Sequence, residues 1–236
     1  MRNAHKAKPE TLGTPASRFV LEAVDLTTQC IVRDAQFDVL NPQVLANLIK
    51  MPSISLHRSN FLDPEGVSKI NAMFGLSFEI TTLMEVTIRQ AELIDQLPYK
   101  VHTNRELILM LAGEKPLASF MGSPAVADSW EIPEKYFDPY VAEGRFRKHD
   151  ERHVLSKPDA RARNAAVRHV LYALSGEEWR INEYRSLLQR ANMEGWSELL
   201  TRKQGSLLGY ADWQNDAFIE RIYRPSLLKR QSLRSD

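Results

Sequence analysis

Cysteine is nearly absent from this chain. Its 236 residues include a single cysteine, Cys30, which excludes an internal disulfide and any zinc cluster built on cysteine ligands. The next two residues are Ile31 and Val32, and this apolar setting favours a buried, inert thiol over a reactive one.

Long apolar runs are absent as well. No stretch approaches the roughly 20 apolar residues that a membrane-spanning helix needs. The first 16 residues are polar, with lysines and prolines where a signal peptide would have an apolar core. We therefore expect a cytoplasmic protein that has no membrane partner.

Several catalytic motifs are also missing. The sequence contains no glycine-rich phosphate loop, no nucleophile elbow around a serine and no dinucleotide-binding fingerprint. These absences weaken the hypothesis of an enzyme without removing it, and they give no reason to expect a cofactor.

The overall composition is that of an ordinary folded protein. Hydrophobic residues make up 43% of the chain and charged residues 26%, which is typical of globular proteins. We predict an α+β fold, in which a mixed strand and helix N-terminal part precedes a packed helical C-terminal part. The predicted segments are a flexible tail (1–17), a mixed α+β part (18–122), a linker and aromatic connecting segment (123–155), a helical part (156–225) and a basic tail (226–236).

Two helix starts are marked by a capping residue followed by proline. Asn41-Pro42 and Asp63-Pro64 each place a side-chain acceptor at the N-cap and proline at the first helical position. Gly75 predicts the end of the second helix. Runs rich in β-forming residues at 19–21 and 29–32 predict two strands that can pair with each other.

Period-two alternation marks further strands. Apolar or threonine positions alternate with polar ones from Ser77 to Ile88, which favours a strand over a helix, and a shorter alternation at 54–56 favours another. Thr103 and Glu106 have the spacing of a capping box, which predicts a helix that a following glycine ends. A hairpin turning at residues 112–115 is the rival interpretation.

The last third of the chain carries helical periodicity. Apolar residues at i, i+3, i+4 and i+7 predict its first helix through Val167, Val170, Leu171 and Leu174. Ser175 and Glu178 form a second capping box before the next helix. Two later helices are predicted to begin near Trp196 and at Asp212, and Pro225 is predicted to end the last one.

Positive charge is concentrated in the same part. Residues 1–142 hold 13 Lys and Arg against 17 Asp and Glu, whereas 143–236 hold 18 against 13, so the net charges are −4 and +5. Cations along one helix face suit phosphate recognition, and the candidates are Arg161, Arg163 and Arg168. The alternative is a solvated or ion-paired face, because no aromatic residue interleaves with them for base stacking.

The segment from Tyr210 to Asp216 mixes aromatic and hydrogen-bonding side chains, as ligand pockets do. Its candidate binding residues are Tyr210, Trp213, Asn215 and Asp216. The structural alternative is a helix start, in which Asp212 and Asp216 complement the helix dipole.

Histidines supply two weaker candidates. His102 and Arg105 flank the predicted helix start at Thr103, where backbone amides can hold an anion, although the cap alone also explains this pattern. His149 and His153 have metal-ligand spacing, because residues four apart share a helix face. They are weak candidates, since zinc or iron would need at least one more ligand and a solvated segment explains the charges around them.

These features favour a non-catalytic binding or regulatory protein that contacts a protein or nucleic-acid partner through its helical C-terminal part. The alternative is a small hydrolase or lyase, with His102, His149 or His153 and a nearby carboxylate at the junction of the two parts. An inhibitor that occupies another enzyme differs from the first hypothesis only in its partner.

Overall fold

The computed structural model describes residues 16–52, 59–122, 131–154 and 166–232. The strands in these ranges are β1 (Ser17–Asp25), β2 (Ile31–Val39), β3 (Asn60–Leu62), β4 (Met84–Gln90), β5 (Leu117–Gly122), β6 (Phe146–Val154) and β7 (Ala166–Leu174). The α-helices are α1 (Pro42–Leu48), α2 (Pro64–Phe74), α3 (Glu106–Leu111), α4 (Glu134–Ala142), α5 (Trp179–Glu194), α6 (Glu198–Leu207), α7 (Asp212–Phe218) and α8 (Arg224–Ser232). Two antiparallel sheets with these helices confirm the predicted α+β class. In these ranges, none of the helices has both the length and the apolar character that crossing a lipid bilayer requires.

The chain divides into two compact units. The first comprises residues up to Asp25 together with Val32–Ala91, and the second comprises Leu26–Ile31 together with Glu92–Asp236. The second unit therefore includes a short segment that lies between β1 and β2 in the sequence.

The first unit is built on a four-stranded sheet with the order β2-β1-β4-β3. β4 runs antiparallel to β1 and β3, and Leu21 of β1 lies opposite Ile88 of β4. Because side chains alternate between the faces of a strand, one face is apolar and packs against α1 and α2. The predicted pairing of the first two strands is confirmed, since β1 and β2 are neighbours in the sheet.

Both predicted cap-and-proline helix starts are confirmed. The Asn41 side chain accepts a hydrogen bond from the Gln43 amide at 3.0 Å, and Asp63 Oδ1 accepts one from the Gly66 amide at 2.7 Å. The second helix ends at Gly75, whose φ of 64° lies in the left-handed region. These signals are local, because each needs only a few neighbouring residues.

The end of α1 places a lysine where glycine is favoured. Lys50 has φ 55°, while its amide donates to the Asn47 carbonyl and the Met51 amide donates to the Ala46 carbonyl. These two bonds form a Schellman motif with Lys50 at its left-handed position.

We expect Lys50→Gly to stabilise the protein. The left-handed conformation costs a residue with a Cβ about 1–2 kcal/mol, and the extra unfolded-state freedom of glycine offsets part of the gain. The free energy of unfolding should therefore rise by about 0.5–1 kcal/mol, measured by urea denaturation. Lys50→Ala is the matched control, because it removes the same charge but keeps the Cβ. An equal gain in both variants would contradict the backbone explanation.

The strand predicted from Ser77 to Ile88 is wrong over its first half, since β4 begins only at Met84. The side chain of Asn71 explains the difference. Its Nδ2 donates to the Phe78 carbonyl at 2.9 Å, and its Oδ1 accepts from the Phe78 amide at 3.2 Å. The backbone of Phe78 is therefore bonded by a side chain of α2 instead of a neighbouring strand. The strand predicted at 54–56 lies outside the described residues.

The second unit has a three-stranded antiparallel sheet with the order β5-β7-β6. One face packs against α3 and α4, and its core includes Val170 and Tyr172. The other face packs against α5 and α6, and its core includes Leu171 and Ala173. The central strand β7 is therefore covered on both sides.

The helix predicted through Val167, Val170, Leu171 and Leu174 is wrong, because these residues form β7. A strand buried on both faces presents a continuous apolar run instead of an alternation. Such a run also matches the i, i+3, i+4, i+7 pattern, so periodicity cannot separate a helix from a strand here. The predicted helical part is accordingly helical only beyond this strand, from Trp179 onward.

The helix α3 is confirmed over the rival hairpin, but its predicted capping box is wrong. The N-cap is Arg105, without a side-chain cap bond. A turn closed by the Arg105 amide and the His102 carbonyl, with Asn104 at φ 59°, keeps Thr103 outside the helix.

The capping box predicted at Ser175 and Glu178 is also wrong. Glu178 itself is the N-cap of α5, and its side chain forms no cap bond within the helix.

The later helices follow the prediction until Pro225. Helix α5 buries Ile181, Tyr184, Leu187 and Ala191 as predicted, and Asp212 is the first residue of α7 rather than its cap. Pro225 does not end the helix. In a π-helical turn (Ile219–Tyr223), the Arg224 amide donates to the Ile219 carbonyl. This turn shifts the hydrogen-bond register and places Pro225 in the first turn of α8, where proline is tolerated. Residues 226–232 of the predicted basic tail therefore belong to α8.

Candidate functional site

Arg168 is the member of the predicted arginine face that the structure describes, and it does not lie on a helix. Arg161 and Arg163 lie outside the described residues, and Arg168 lies on strand β7. Its guanidinium donates two hydrogen bonds to Glu134, at 2.6 and 2.8 Å, and further bonds to Asp150. Arg168 is therefore paired on both sides rather than turned to water.

Arg168 belongs to a network on the α4 side of the second sheet. Lys148 Nζ lies 2.5 Å from Glu134 Oε1 and 2.8 Å from Asp138 Oδ2, and Tyr172 donates its hydroxyl to Asp138 at 2.8 Å. Arg168, as the main cause, holds the pKa of the Glu134 carboxyl below its usual value. Burial, followed by the bond to Asp138, raises the pKa of Tyr172. This network fixes α4 to the sheet.

The histidine pair is also placed on a strand, because β6 spans both His149 and His153. The solvated loop or helix end predicted there is wrong. Four residues of strand separate two backbone positions by about 13 Å, so the close spacing that a helix would give is absent. His149 Nε2 instead lies 3.2 Å from Glu151, which also accepts from Arg185 at 2.6 Å. Across the described part of the chain, no group of three potential ligands is placed to hold a metal.

Two sets of predicted residues do come together. The His102 and Tyr210 rings stack at a centroid distance of 4.0 Å and an interplanar angle of 13°, and the His102 amide donates to the Tyr210 hydroxyl at 2.9 Å. Tyr99 packs edge-on against Trp213 at 5.4 Å and donates its hydroxyl to the Gln214 carbonyl. The loop before α3 is thereby fixed to the connection between α6 and α7.

No pattern in the sequence indicates the lysine at the centre of this cluster. Lys115 is 3% exposed, and its Nζ lies 3.3 Å from the Leu208 carbonyl and 3.4 Å from His102 Nδ1. It also lies 5.7 Å from the centre of the Tyr210 ring. Lysine is almost always a surface residue, and nothing beside Lys115 in the sequence marks it as buried.

Burial determines the protonation of this cluster. It lowers the pKa of Lys115 to about 8, against a smaller opposing effect of Glu106. Burial, and then the neighbouring ammonium of Lys115, lowers the pKa of His102 to about 4. Burial raises the pKa of Tyr210 to about 12 and also raises that of Glu106. At neutral pH, His102 is therefore uncharged, and Lys115 holds its proton only weakly.

The remaining predicted binding residues have structural partners. Asn215 is buried and its Nδ2 donates to Ser206 Oγ at 3.3 Å. Asp216 forms an ion pair with Arg202. Arg105, predicted to bind an anion, donates to the Ile31 carbonyl at 2.7 Å. Of the Tyr210–Asp216 candidates, Trp213 and Asp216 have largely exposed side chains, at 55% and 57%, and Trp213 is the exposed aromatic residue.

Positive charge in the C-terminal part is largely compensated. From position 168 to position 224, each lysine and arginine contacts a carboxylate, except Arg221, which donates to the Gln96 carbonyl. The paired cations are Arg168, Arg180, Arg185, Arg190, Arg202, Lys203 and Arg224. The sequence showed the excess of cations but could not show their partners.

Large apolar side chains, in contrast, are exposed at the end of α5, at the start of α6 and in α8. The C-terminal apolar surface comprises Met193, Trp196, Leu199, Leu227 and Leu228, all of them exposed. The Tyr223 hydroxyl donates to the Trp196 carbonyl, and Arg224 pairs with Glu198 at 3.0 Å. Residues three and four positions apart share a helix face, so these contacts bring the leucines of α8 close to the start of α6.

Comparisons with protein-family models, with curated proteins and with solved structures found no match to this chain.

Proposed function

We propose that this chain is a non-catalytic binding protein that contacts a protein partner through its C-terminal apolar surface. The observation that carries the proposal is a contrast. From position 168 to position 224, every lysine and arginine except Arg221 pairs with a carboxylate, while Trp196, Leu199 and Leu228 are 47%, 66% and 67% exposed. Contiguous exposed apolar residues mark protein interaction sites, and tryptophan is enriched among the residues that dominate binding energy.

The same contrast favours a protein over a nucleic acid. Binding to phosphates depends on cations that release counterions, and two arginines beside this surface already face carboxylates. Arg224 pairs with Glu198, and Arg202 lies between Glu198 and Asp216. A charge-compensated rim around an apolar centre matches the anatomy of protein interfaces.

The proposal places the protein in the cytoplasm. It is supported by the single cysteine, which is free and buried, and whose pKa is raised by burial. A buried thiol of this kind is compatible with a reducing compartment.

Cross-linking tests the proposed surface. We expect a photoreactive benzophenone side chain at position 199 to form a covalent adduct with a partner protein in cells. The same group at position 83 should form no such adduct, because Leu83 is equally exposed but belongs to the first unit. Leu199→Glu with Leu228→Glu should weaken binding of the isolated partner by at least about 10-fold, equivalent to about 1.4 kcal/mol.

Leu83→Glu is the matched control and should leave this affinity unchanged. Titration of labelled RNA and DNA separates the two partner classes. Nucleic-acid binding that weakens steeply with salt and survives the double substitution would overturn the proposal.

For the alternative of a small hydrolase or lyase, the described surroundings favour His102 over His149. His149 contacts Glu151, but that carboxylate already pairs with Arg185, which leaves it poorly placed as a partner for catalysis. His102 retains a chemically interesting neighbour in Lys115, on which the charge of Glu106 acts in turn.

A further inference from the structure

Lys115 is a buried amine without a matching anion. Within the described ranges it is the one lysine or arginine that is almost completely buried, and no carboxylate in those ranges lies at ion-pair distance from it. Its two hydrogen-bonding contacts, to Leu208 and His102, are with uncharged groups and are long, at 3.3 and 3.4 Å. Buried charges are normally paired, because removing an ion from water is costly.

Packing alone does not account for this lysine. An uncharged side chain such as methionine would fill the same space without the cost of desolvating an ammonium group. The bond to the Leu208 carbonyl, at the end of α6, is a weak cap at this distance. The amine is therefore held in a setting that favours its neutral form.

The groups that face the amine are arranged for proton transfer. His102 Nδ1 is the nearest basic atom, and the imidazole ring is fixed by stacking on Tyr210. Glu106, at the start of α3, is the carboxylate whose charge acts on Lys115. A neutral imidazole can accept a proton at one nitrogen, and the protonated ring can return it.

We propose that Lys115 is a nucleophilic amine that forms an imine with a small aldehyde or ketone. Desolvated lysines carry out this chemistry in proteins because their amine is neutral near physiological pH. The proposal is independent of the C-terminal apolar surface, since it concerns a different part of the second unit.

The step balances without an oxidant or another reactant. The Lys115 nitrogen attacks the carbonyl carbon, and the C=O π electrons move to oxygen. His102 takes one proton from the nitrogen and returns it to the oxygen, which gives a carbinolamine. The nitrogen lone pair then forms the C=N bond as the hydroxyl leaves as water with a proton from solvent, and the last proton on the nitrogen passes back to solvent. In this step Lys115 is the nucleophile and His102 transfers the proton, while Tyr210 positions the His102 ring.

Reductive trapping tests this assignment on the full chain. Limiting acetaldehyde with cyanoborohydride converts an imine to a stable N-ethyl group, and peptide mass spectrometry gives the rate at each lysine. A buried amine without special reactivity is modified last. We expect Lys115 to be modified first, because its lowered pKa gives it a roughly 300-fold larger neutral fraction at pH 7 than an ordinary lysine.

Lys203, which is exposed and paired with Glu183, is the internal reference. We expect His102→Gln to slow trapping at Lys115 by at least about 10-fold without changing the rate at Lys203. The rate at Lys115 should level off above pH 8, whereas the rate at Lys203 continues to rise. Slower trapping at Lys115 than at Lys203 in the unmodified chain would overturn the proposal. This comparison needs no substitution at position 115.

Discussion

Gly205→Ala is expected to destabilise the protein by about 3 kcal/mol, because the methyl group would overlap a buried side chain. A Cβ at this position would lie 1.8 Å from Asn215 Oδ1 and 2.9 Å from its Cγ. Asn215 is buried, and its amide donates to Ser206 Oγ and the Tyr210 carbonyl. Overpacking costs about 1–3 kcal/mol, and a buried amide that loses its partners costs a similar amount.

The better helix propensity of alanine recovers less than about 1 kcal/mol of this loss. Urea denaturation gives the free energy of unfolding for each variant. The control is the double variant Gly205→Ala with Asn215→Ala, which removes the obstructing amide and should regain part of the lost stability. A single variant that unfolds within about 0.5 kcal/mol of the unmodified protein would show that α6 and α7 separate freely.

Acidification is expected to destabilise the protein through His102. Its pKa is about 4 in the folded protein, against an ordinary value of 6.5. As the pH falls from 6.5 through 4, the unfolded chain takes up a proton that the folded protein does not. The contribution of His102 to stability is therefore complete above pH 6.5 and decreases by up to about 3 kcal/mol by pH 4.

The measurement compares the unmodified protein with His102→Gln from pH 7 to pH 4. The difference between the two free energies of unfolding should change in this window, with the unmodified protein losing more stability. Lys115 and Glu106 face the same cluster. Glu106 has a raised pKa and acts with the opposite sign, and the comparison cancels its effect. Parallel pH profiles for the two proteins would contradict the lowered pKa of His102.

The parts of the fold that could be predicted are those set by local chemistry. Asn41-Pro42 and Asp63-Pro64 start helices because the cap and the proline act within one turn. The buried face of α5 was also predictable, since Ile181 and Tyr184 follow the helical period. In contrast, the sequence pattern of β7 predicts a helix. A strand that is covered on both faces has no alternation of apolar and polar residues that would distinguish it from a helix.

Individual residues of the candidate site could be predicted from the sequence, but their arrangement could not. His102 and Tyr210 were each singled out, but they stand 108 positions apart, and their stacking depends on the tertiary fold. Lys115 was missed because a lysine in sequence is expected at the surface. Arg168 shows the converse. Its charged side chain suggests a contact with a partner molecule, but Glu134 and Asp150 already pair with its guanidinium.

Residues 26–31 belong to the second unit. This placement affects which fragments of the chain keep the core of that unit and when the core forms during synthesis. Cys30 belongs to the same apolar cluster as Leu107 and Met110, and the Ile31 amide donates to the Asn104 carbonyl at 2.7 Å. A fragment that starts at Glu92 would lack both of these contributions. On the ribosome, Cys30 emerges long before its neighbours, so this core is completed only after the whole first unit has been synthesised.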